Sequence, residues 1–299
     1  MKNIIVYTSS INVLEDYIDS LQFFDSIIEI ENLDHSTLHD SNNLLFFTQM
    51  WFIPLLKNNY LQIENCLDRI FFINVEMLTE KNRSNQVQQL LENRIKILDY
   101  SLTNVHIMRK MIECYNIPYP HEIHHLPYQY NNTEVLHFTN HSRKYEYDVG
   151  IINAYPNTDS GENTSRRTKI FEKLQQEPTI NCLNIIGWGR DRDREISKCR
   201  IIVNVHHFDC FNIFEDIRCA RLVFANKLIV SEPNLNNDLV DLKEFIHWSE
   251  FDDIVSKVKH VLEHFHEYQN ELEKTTKENI THIIDNRTQC LNRFLHNIF

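Results

Sequence analysis

The sequence has little glycine and no long apolar run. Only four of its 299 residues are glycine, at positions 150, 161, 187 and 189. From Met1 the chain passes directly into Ile4-Ile5-Val6-Tyr7, which is too short for a signal peptide and far too short for a membrane span. We therefore expect no membrane span and a cytoplasmic protein.

The sequence also has too few cations for a nucleic-acid-binding protein. Thirty Lys and Arg residues face 42 Asp and Glu residues, which gives a net charge of −12. Binding to a phosphate backbone requires a positive field that releases counterions, and no basic stripe offsets the deficit. The seven cysteines are odd in number and lack C-x-x-C spacing, as is typical of reduced thiols rather than disulfides or a zinc site.

The first half of the sequence alternates short apolar runs with longer segments of helical period. Val87, Leu90, Leu91 and Ile95 recur every three to four residues, which predicts a helix that packs on a sheet. This alternation is typical of βαβ units and a parallel sheet. The runs predict strands at 4–7, 26–30, 44–48, 69–75, 96–100 and 122–126.

The second half repeats this alternation after a polar stretch, where we place a linker. Ser249, with Asp252 three residues later, reads as the N-cap of a last helical region. Strands are predicted at 147–153, 182–186, 200–206 and 228–230, and helices at 166–176 and 213–226. The predicted organisation is a domain at 1–128, a linker at 129–146, a second domain at 147–268 and a helical tail at 269–299.

Two of the four glycines follow one predicted strand, in the segment Ile185-Ile186-Gly187-Trp188-Gly189-Arg190. In open α/β sheets ligands bind beyond the carboxyl ends of the strands, and glycine lets backbone N–H groups approach a phosphate. A tight turn is the alternative. The concentration of scarce glycines here favours the phosphate loop.

Charged residues begin two predicted helices of the second half. Arg166 and Arg167 stand at a helix start, where cations are unfavourable unless an anion lies nearby; a solvated loop is the alternative. Glu215 and Arg218 are neighbours on another helix. With Asn212 as N-cap, Glu215 would close a capping box and Arg218 would pair with it. Spacing alone does not decide between this structural role of Glu215 and a role in ligand binding.

The run from Lys198 to Glu232 resembles the donor domain of GT-B glycosyltransferases. The resemblance rests on Asn204-Val205-His206-His207, Phe214-Glu215, Arg218 and Val230-Ser231-Glu232. It implies an α/β protein of two Rossmann-like domains that face each other, with C-terminal helices packed back. It also implies a nucleotide diphosphate sugar as donor co-substrate, and a glycan or another hydroxyl compound as acceptor.

The resemblance implies roles for individual residues. Glu215 would contact the nucleotide ribose, the glycine loop would face the diphosphate, and Ser231 and Glu232 would line the donor cleft. Val223 stands eight residues after Glu215, where retaining enzymes have a second glutamate, so the stereochemical class stays open. We expect no further cofactor and no metal. The predicted donor-binding residues are Arg166, Arg167, Gly187, Trp188, Gly189, Arg190, His206, Phe208, Phe214, Glu215, Arg218, Ser231 and Glu232.

An inverting transferase needs a base for the acceptor hydroxyl. Glu76 follows a strongly apolar predicted strand and is the first candidate, with Asp99 the second. Either carboxylate could instead be a cap or turn residue. A GT-B-like subunit without turnover would transfer nothing, and a sugar-nucleotide epimerase of the same fold would convert the donor without an acceptor.

The segment His121-Glu122-Ile123-His124-His125 matches the H-E-x-x-H signature of zinc proteases, which requires a helix. Pro118 and Pro120 precede the segment and Pro127 follows it. These prolines favour a strand over a helix, so we reject the zinc site.

Overall fold

The computed structural model describes residues 1–7, 14–48, 63–132, 144–153, 165–187 and 189–298. The chain forms two compact units, one of residues 1–127 with 288–299 and the other of residues 128–287. Each unit contains one sheet in which all paired strands are parallel. The protein is therefore an α/β protein with two Rossmann-like units. Among the described residues, no helix is both long and apolar enough to cross a bilayer.

The first unit contains a six-stranded sheet in the order β2-β1-β3-β4-β5-β6. The strands are β1 (Lys2–Tyr7), β2 (Ser26–Glu29), β3 (Asn43–Phe47), β4 (Ile70–Asn74), β5 (Lys96–Asp99) and β6 (His124–His125). The helices are α1 (Glu15–Leu21), α2 (His35–His39), α3 (Lys81–Glu92) and α4 (Leu102–Cys114). β3 and β4 are buried along their whole length, which explains why the sequence shows them as continuous apolar runs.

The second unit contains a five-stranded sheet in the order β11-β10-β9-β7-β8. Its strands are β7 (Tyr147–Ile152), β8 (Cys182–Ile185), β9 (Cys199–Asn204), β10 (Leu228–Ser231) and β11 (Ile246–Trp248). Its helices are α5 (Arg166–Gln175), α6 (Gly189–Ser197), α7 (Asp216–Phe224), α8 (Ile254–Glu263) and α9 (Phe265–Ile298), the last of which ends in the first unit. The order reverses direction between β7 and β9, and ligands bind at such a switch point in open α/β sheets.

The C-terminal helix packs back, as expected. Phe294 near the end of α9 is fully buried in the first unit. Its ring lies edge-on to Phe71 at 5.8 Å, and Phe71 stacks on Phe46 at 4.9 Å. These aromatic contacts add to the apolar area that Phe294 buries, so the last helical turns are part of the core.

One local sequence prediction was wrong, and another placed a strand correctly but made it too long. Ser249 does not cap a helix, because a 3-10 turn at Phe251–Asp253 precedes α8 and Asp253 is the residue before its first turn. The strand predicted at 122–126 is only His124–His125, which pairs with β5. The rejection of the zinc-protease helix is nevertheless confirmed, since this pair of histidines is extended.

Gly150 in β7 allows the central strands of the second sheet to pack closely. A Cβ atom there would lie 2.6 Å from Ile185 Cδ1, 2.7 Å from Cys199 Sγ and 3.0 Å from Ile202 Cδ1. We expect Gly150→Ala to destabilise the protein by about 1–3 kcal/mol through overpacking, as measured by urea denaturation. Ser26→Ala, at the exposed start of β2, is the control. An equally small effect of both changes would contradict this explanation.

Candidate functional site

Polar residues gather at the carboxyl edge of the second sheet, beside the switch point. Asn153 follows β7, His206 follows β9 by two residues, and Glu232 follows β10. α5 begins at Arg166, whose backbone N–H donates to the His207 carbonyl at 3.3 Å. The start of this helix is therefore attached to the segment after β9, next to the switch point.

Arg166 lies at the centre of this group. Its guanidinium donates to the carboxylates of Asp209 and Glu232 and stacks over the Phe251 ring, with Cζ 3.9 Å from the ring centroid. The two carboxylates differ in environment, because the Asp209 side chain is 86% exposed and the Glu232 side chain is 5% exposed. A guanidinium that stacks on one face and donates along its edge is well placed to receive an anion.

Arg167 and Arg218 hold Glu215 between them. Arg167 Nη2 donates to Glu215 Oε1 at 2.7 Å, and Arg218 Nη1 donates to Oε2. Arg167 Nε also donates to the Val205 carbonyl at 2.7 Å, and Arg218 Nη1 donates to Asn204 Oδ1 at 3.2 Å. These bonds fix both guanidinium groups beside the end of β9.

The trio of Arg167, Arg218 and Glu215 contains two cations and one carboxylate, so it keeps a net positive charge. Burial works against ionisation of Glu215, but Arg167 and Arg218 outweigh it and hold the pKa of the carboxyl below its ordinary value. Burial lowers the pKa of Arg167 to about 10, with Arg218 acting in the same direction and Glu215 opposing. Both groups are therefore charged at neutral pH.

The capping-box interpretation of Glu215 was wrong. α7 begins at Asp216, so Glu215 occupies the N-cap position itself and makes no side-chain cap bond. Asn212 lies three residues before that position. The expected pairing of Arg218 with Glu215 is present, and the contact of Glu215 with a ribose stays a prediction.

Ser231 and Glu232 are buried at the end of β10. Glu232 Oε2 accepts the His206 backbone N–H at 2.8 Å, and Asn204 Nδ2 donates to Ser231 Oγ at 3.0 Å. The two residues connect β10 to β9 at the carboxyl edge. Their present contacts are structural, and their expected contact with a donor stays a prediction.

Several buried polar atoms at this edge have no hydrogen-bond partner among the described residues. They are Asn153 Oδ1, Arg166 Nε, His206 Nδ1 and Asn212 Oδ1. Buried polar atoms are normally satisfied, and each unsatisfied one costs roughly 1–3 kcal/mol. Donors and acceptors are both present in this set. A polar ligand or water molecules would satisfy them.

The glycine turn lies beside the group, after β8, which pairs with β7. Gly187 and Gly189 have φ values of +100° and +60°, a region that favours glycine, and α6 starts at Gly189. A Cβ on Gly187 would meet nothing within 4 Å, so backbone conformation rather than packing requires this glycine. Arg190 is exposed and has no ion pair within the described ranges, whereas Trp188 lies outside the described residues.

The two predicted phenylalanines have different environments. Phe208 is 43% exposed and meets Phe211 edge-on at 5.3 Å, so its ring is accessible beside the group. Phe214 is buried and packs edge-on against Trp248 at 5.8 Å. Phe214 is therefore a core residue, which differs from the expected cleft-facing position.

The two candidate bases, Asp99 and Glu76, differ in their exposure to solvent. Asp99 is fully buried and accepts bonds from Asn74 Nδ2 at 2.5 Å, Ser101 N at 2.7 Å and Asn104 Nδ2 at 3.1 Å. Burial raises the pKa of Asp99 to about 8, although these donors oppose the shift. Asp99 therefore does not face an open cleft. Its hydrogen bonds to Asn74, Ser101 and Asn104 give the carboxylate a structural role just before α4. The Glu76 side chain is 42% exposed and lies 3.6 Å from Arg83.

Sequence reasoning missed three members of the group. Asn153 could have been found, because it is the last residue of a predicted strand. Asp209 carries a weaker signal, two residues beyond the histidine pair. Phe251 carries none, since it lies 85 residues from Arg166 in the chain and only the fold brings the two together.

No protein-family model matches the chain. It is similar to three uncharacterized proteins of Acanthamoeba polyphaga mimivirus. Protein R358 is 29% identical over 265 residues, which cover 87% of this chain and 86% of R358. Protein L140 is 27% identical over 251 residues, which cover 80% of this chain and 73% of L140. Protein L138 is 30% identical over 189 residues, which cover 61% of this chain but only 19% of L138.

Among solved structures, the chain is similar to a crystal structure of an alpha1,3-fucosyltransferase. The sequences are 10% identical, the TM-score is 0.39, and the match covers 91% of this chain and 80% of the fucosyltransferase. A score this low does not establish a common function. The interpretation of the candidate site therefore depends on the residues of this chain.

Proposed function

We propose that the protein is a glycosyltransferase that binds a nucleotide diphosphate sugar at the carboxyl edge of the second sheet. One observation carries the proposal. Arg166, Arg167 and Arg218 gather beside the switch point between β7 and β9, next to buried polar atoms that have no partner among the described residues. A switch point is where open α/β sheets bind nucleotides, and arginines suit phosphate geometry.

The arginines are paired with carboxylates, so an incoming diphosphate must displace one of these carboxylates. Glu215 is held by two arginines, and the buried Glu232 also accepts the His206 N–H, whereas Asp209 is exposed and is held only at the surface. Exposed ion pairs contribute roughly 0.2–1 kcal/mol. Asp209 is therefore the carboxylate that a diphosphate displaces from Arg166.

The same geometry supports departure of a diphosphate. α5 starts at Arg166, so the positive end of its helix dipole adds to the field of the arginines, and this field stabilises the charge that develops on the leaving group. The acceptor hydroxyl attacks the anomeric carbon, the bond to the diphosphate breaks, and a base takes the hydroxyl proton. Glu76 is the proposed base because its side chain is accessible.

A ligand panel tests the proposal. The purified full chain is titrated with UDP-, GDP- and ADP-linked sugars in a thermal-shift assay, and at least one is expected to raise the midpoint of unfolding. Incubation of that donor with and without added glycan acceptors follows, with product analysis. Transfer to an acceptor supports the proposal. Epimerised donor without acceptor, binding without turnover, or no shift across the whole panel would each overturn it.

Asp209→Asn is expected to raise the affinity for a diphosphate by up to about fivefold. The change removes the carboxylate that competes for Arg166 and keeps the side chain's size. Calorimetric titration with inorganic pyrophosphate and with UDP measures it. Asp238→Asn is the matched control, because Asp238 is also exposed and paired with a cation, Lys243 at 3.2 Å. Unchanged or weaker binding in Asp209→Asn would show that Asp209 does not compete.

A further inference from the structure

Three metal-ligating side chains converge at the end of α8, outside the site described above. His260, Glu263 and His264 each offer one ligand atom, and these atoms lie within 4.8 Å of one another. Residues spaced by three and four lie on one helix face, which explains the convergence. All three side chains are exposed, so an ion can reach them from solvent.

The ring orientation of His264 is fixed by the backbone. Its Nδ1 lies 3.0 Å from the carbonyl oxygen of His260. A carbonyl oxygen only accepts hydrogen bonds, so Nδ1 carries the ring proton and Nε2 presents its lone pair. Metal-binding histidines commonly hold their second nitrogen in this way.

His260 forms a hydrogen bond with a residue of the next helix, α9. Its Nε2 lies 3.0 Å from the hydroxyl oxygen of Tyr268, in the first turn of α9. When Nε2 donates to this hydroxyl, Nδ1 is left with a free lone pair. The rings of His260 and His264 are 4.5 Å apart between centroids, so one ion can contact both.

We propose that His260, Glu263 and His264 form a binding site for a divalent transition metal such as zinc. Two imidazole nitrogens and one carboxylate oxygen are ligands that zinc accepts, and three protein ligands leave a fourth position for water. α8 ends at Glu263 and α9 begins at Phe265. All three ligands lie in the last turn of α8 and in the residue that follows it, so the ion holds His264 against this turn.

Calorimetric titration of the metal-free full chain with zinc chloride tests the site. One saturable site per chain is expected. His264→Ala should weaken it by on the order of 100-fold or more, beyond the roughly 10–100-fold that loss of an outer partner costs. Tyr268→Phe removes only such an outer partner and should weaken it by about 10-fold. Glu263→Gln should weaken binding while the helix content measured by circular dichroism stays the same.

The chain offers a matched control. His35 and His39 in α2 have the same spacing of four residues, and their rings are 4.0 Å apart. The double variant H35A/H39A is expected to leave the titration unchanged. The proposal is overturned if zinc shows no saturable binding, if binding survives in H260A/H264A, or if H35A/H39A loses it equally. None of these outcomes depends on the donor panel.

Discussion

Arg287→Met is expected to lower the free energy of unfolding by about 3–5 kcal/mol, the cost of breaking a buried ion pair from one side. Arg287 Nη2 donates to Asp216 Oδ1 and to Asp241 Oδ1, both at 2.6 Å, and Nη1 donates to the Tyr128 carbonyl at 2.8 Å. Arg287 and Asp216 are both almost fully buried. Methionine fills much of the space but leaves the Asp216 carboxylate without its cation.

Urea denaturation followed by circular dichroism measures this loss. Arg194→Met is the matched control, because Arg194 pairs with Asp191 at 3.5 Å on an exposed helix face. Its effect should stay within about 1 kcal/mol. A loss for Arg287→Met as small as that of the control would contradict the importance assigned to the buried pair.

A double variant separates the buried charge from the lost packing. Asp216→Asn combined with Arg287→Met removes the uncompensated charge and keeps an acceptor for the Tyr128 N–H, which donates to Asp216 Oδ2 at 3.1 Å. We expect the double variant to be more stable than Arg287→Met alone by at least about 1 kcal/mol. No recovery would show that lost packing, rather than the stranded carboxylate, causes the destabilisation.

The parallel strands could be predicted because burial on both faces makes each an apolar run. β3, β4 and β9 illustrate this, since nearly all of their residues are buried. β11 and α6 are two of the elements that were missed. β11 has only three residues, and α6 reads GRDRDREIS, in which Ile196 is the sole aliphatic residue, so no apolar stripe indicates a helix.

The position of the candidate site could be predicted from the sequence, but the ion pairs between its residues could not. Arginines at the start of α5 and the carboxylate at the start of α7 are visible because both positions follow strand ends. That Arg167 binds Glu215, 48 residues away, depends on the strand order, which a single sequence does not contain. Local reasoning from Asn212 therefore gave the wrong cap. The long-range pair with Arg167 and the local pair with Arg218 engage both Glu215 oxygens and leave the side chain no role in a capping box.

Arg166→Gln is expected to weaken the affinity for the bound nucleotide diphosphate sugar by roughly 10–150-fold, which corresponds to the 1.5–3 kcal/mol of a hydrogen bond to a charged group. Glutamine keeps a polar side chain but lacks the charge and the planar fork. Calorimetric titration with the donor that gives the largest thermal shift, and with inorganic pyrophosphate, measures the effect. Pyrophosphate separates diphosphate binding from contacts to base and sugar.

Two further variants decide how Arg166 acts. Arg166→Lys keeps the charge without the fork, so an intermediate loss would indicate bidentate binding to phosphate oxygens. Arg200→Gln is the matched control: Arg200 also pairs with a carboxylate, Asp148 at 3.4 Å, and lies over an aromatic ring, Phe265, but stands at the amino end of β9. Since ligands bind beyond the carboxyl ends of such strands, its loss should leave affinity unchanged. Equal losses for Arg166→Gln and Arg200→Gln would mean that net charge, and not the carboxyl edge of the sheet, determines binding.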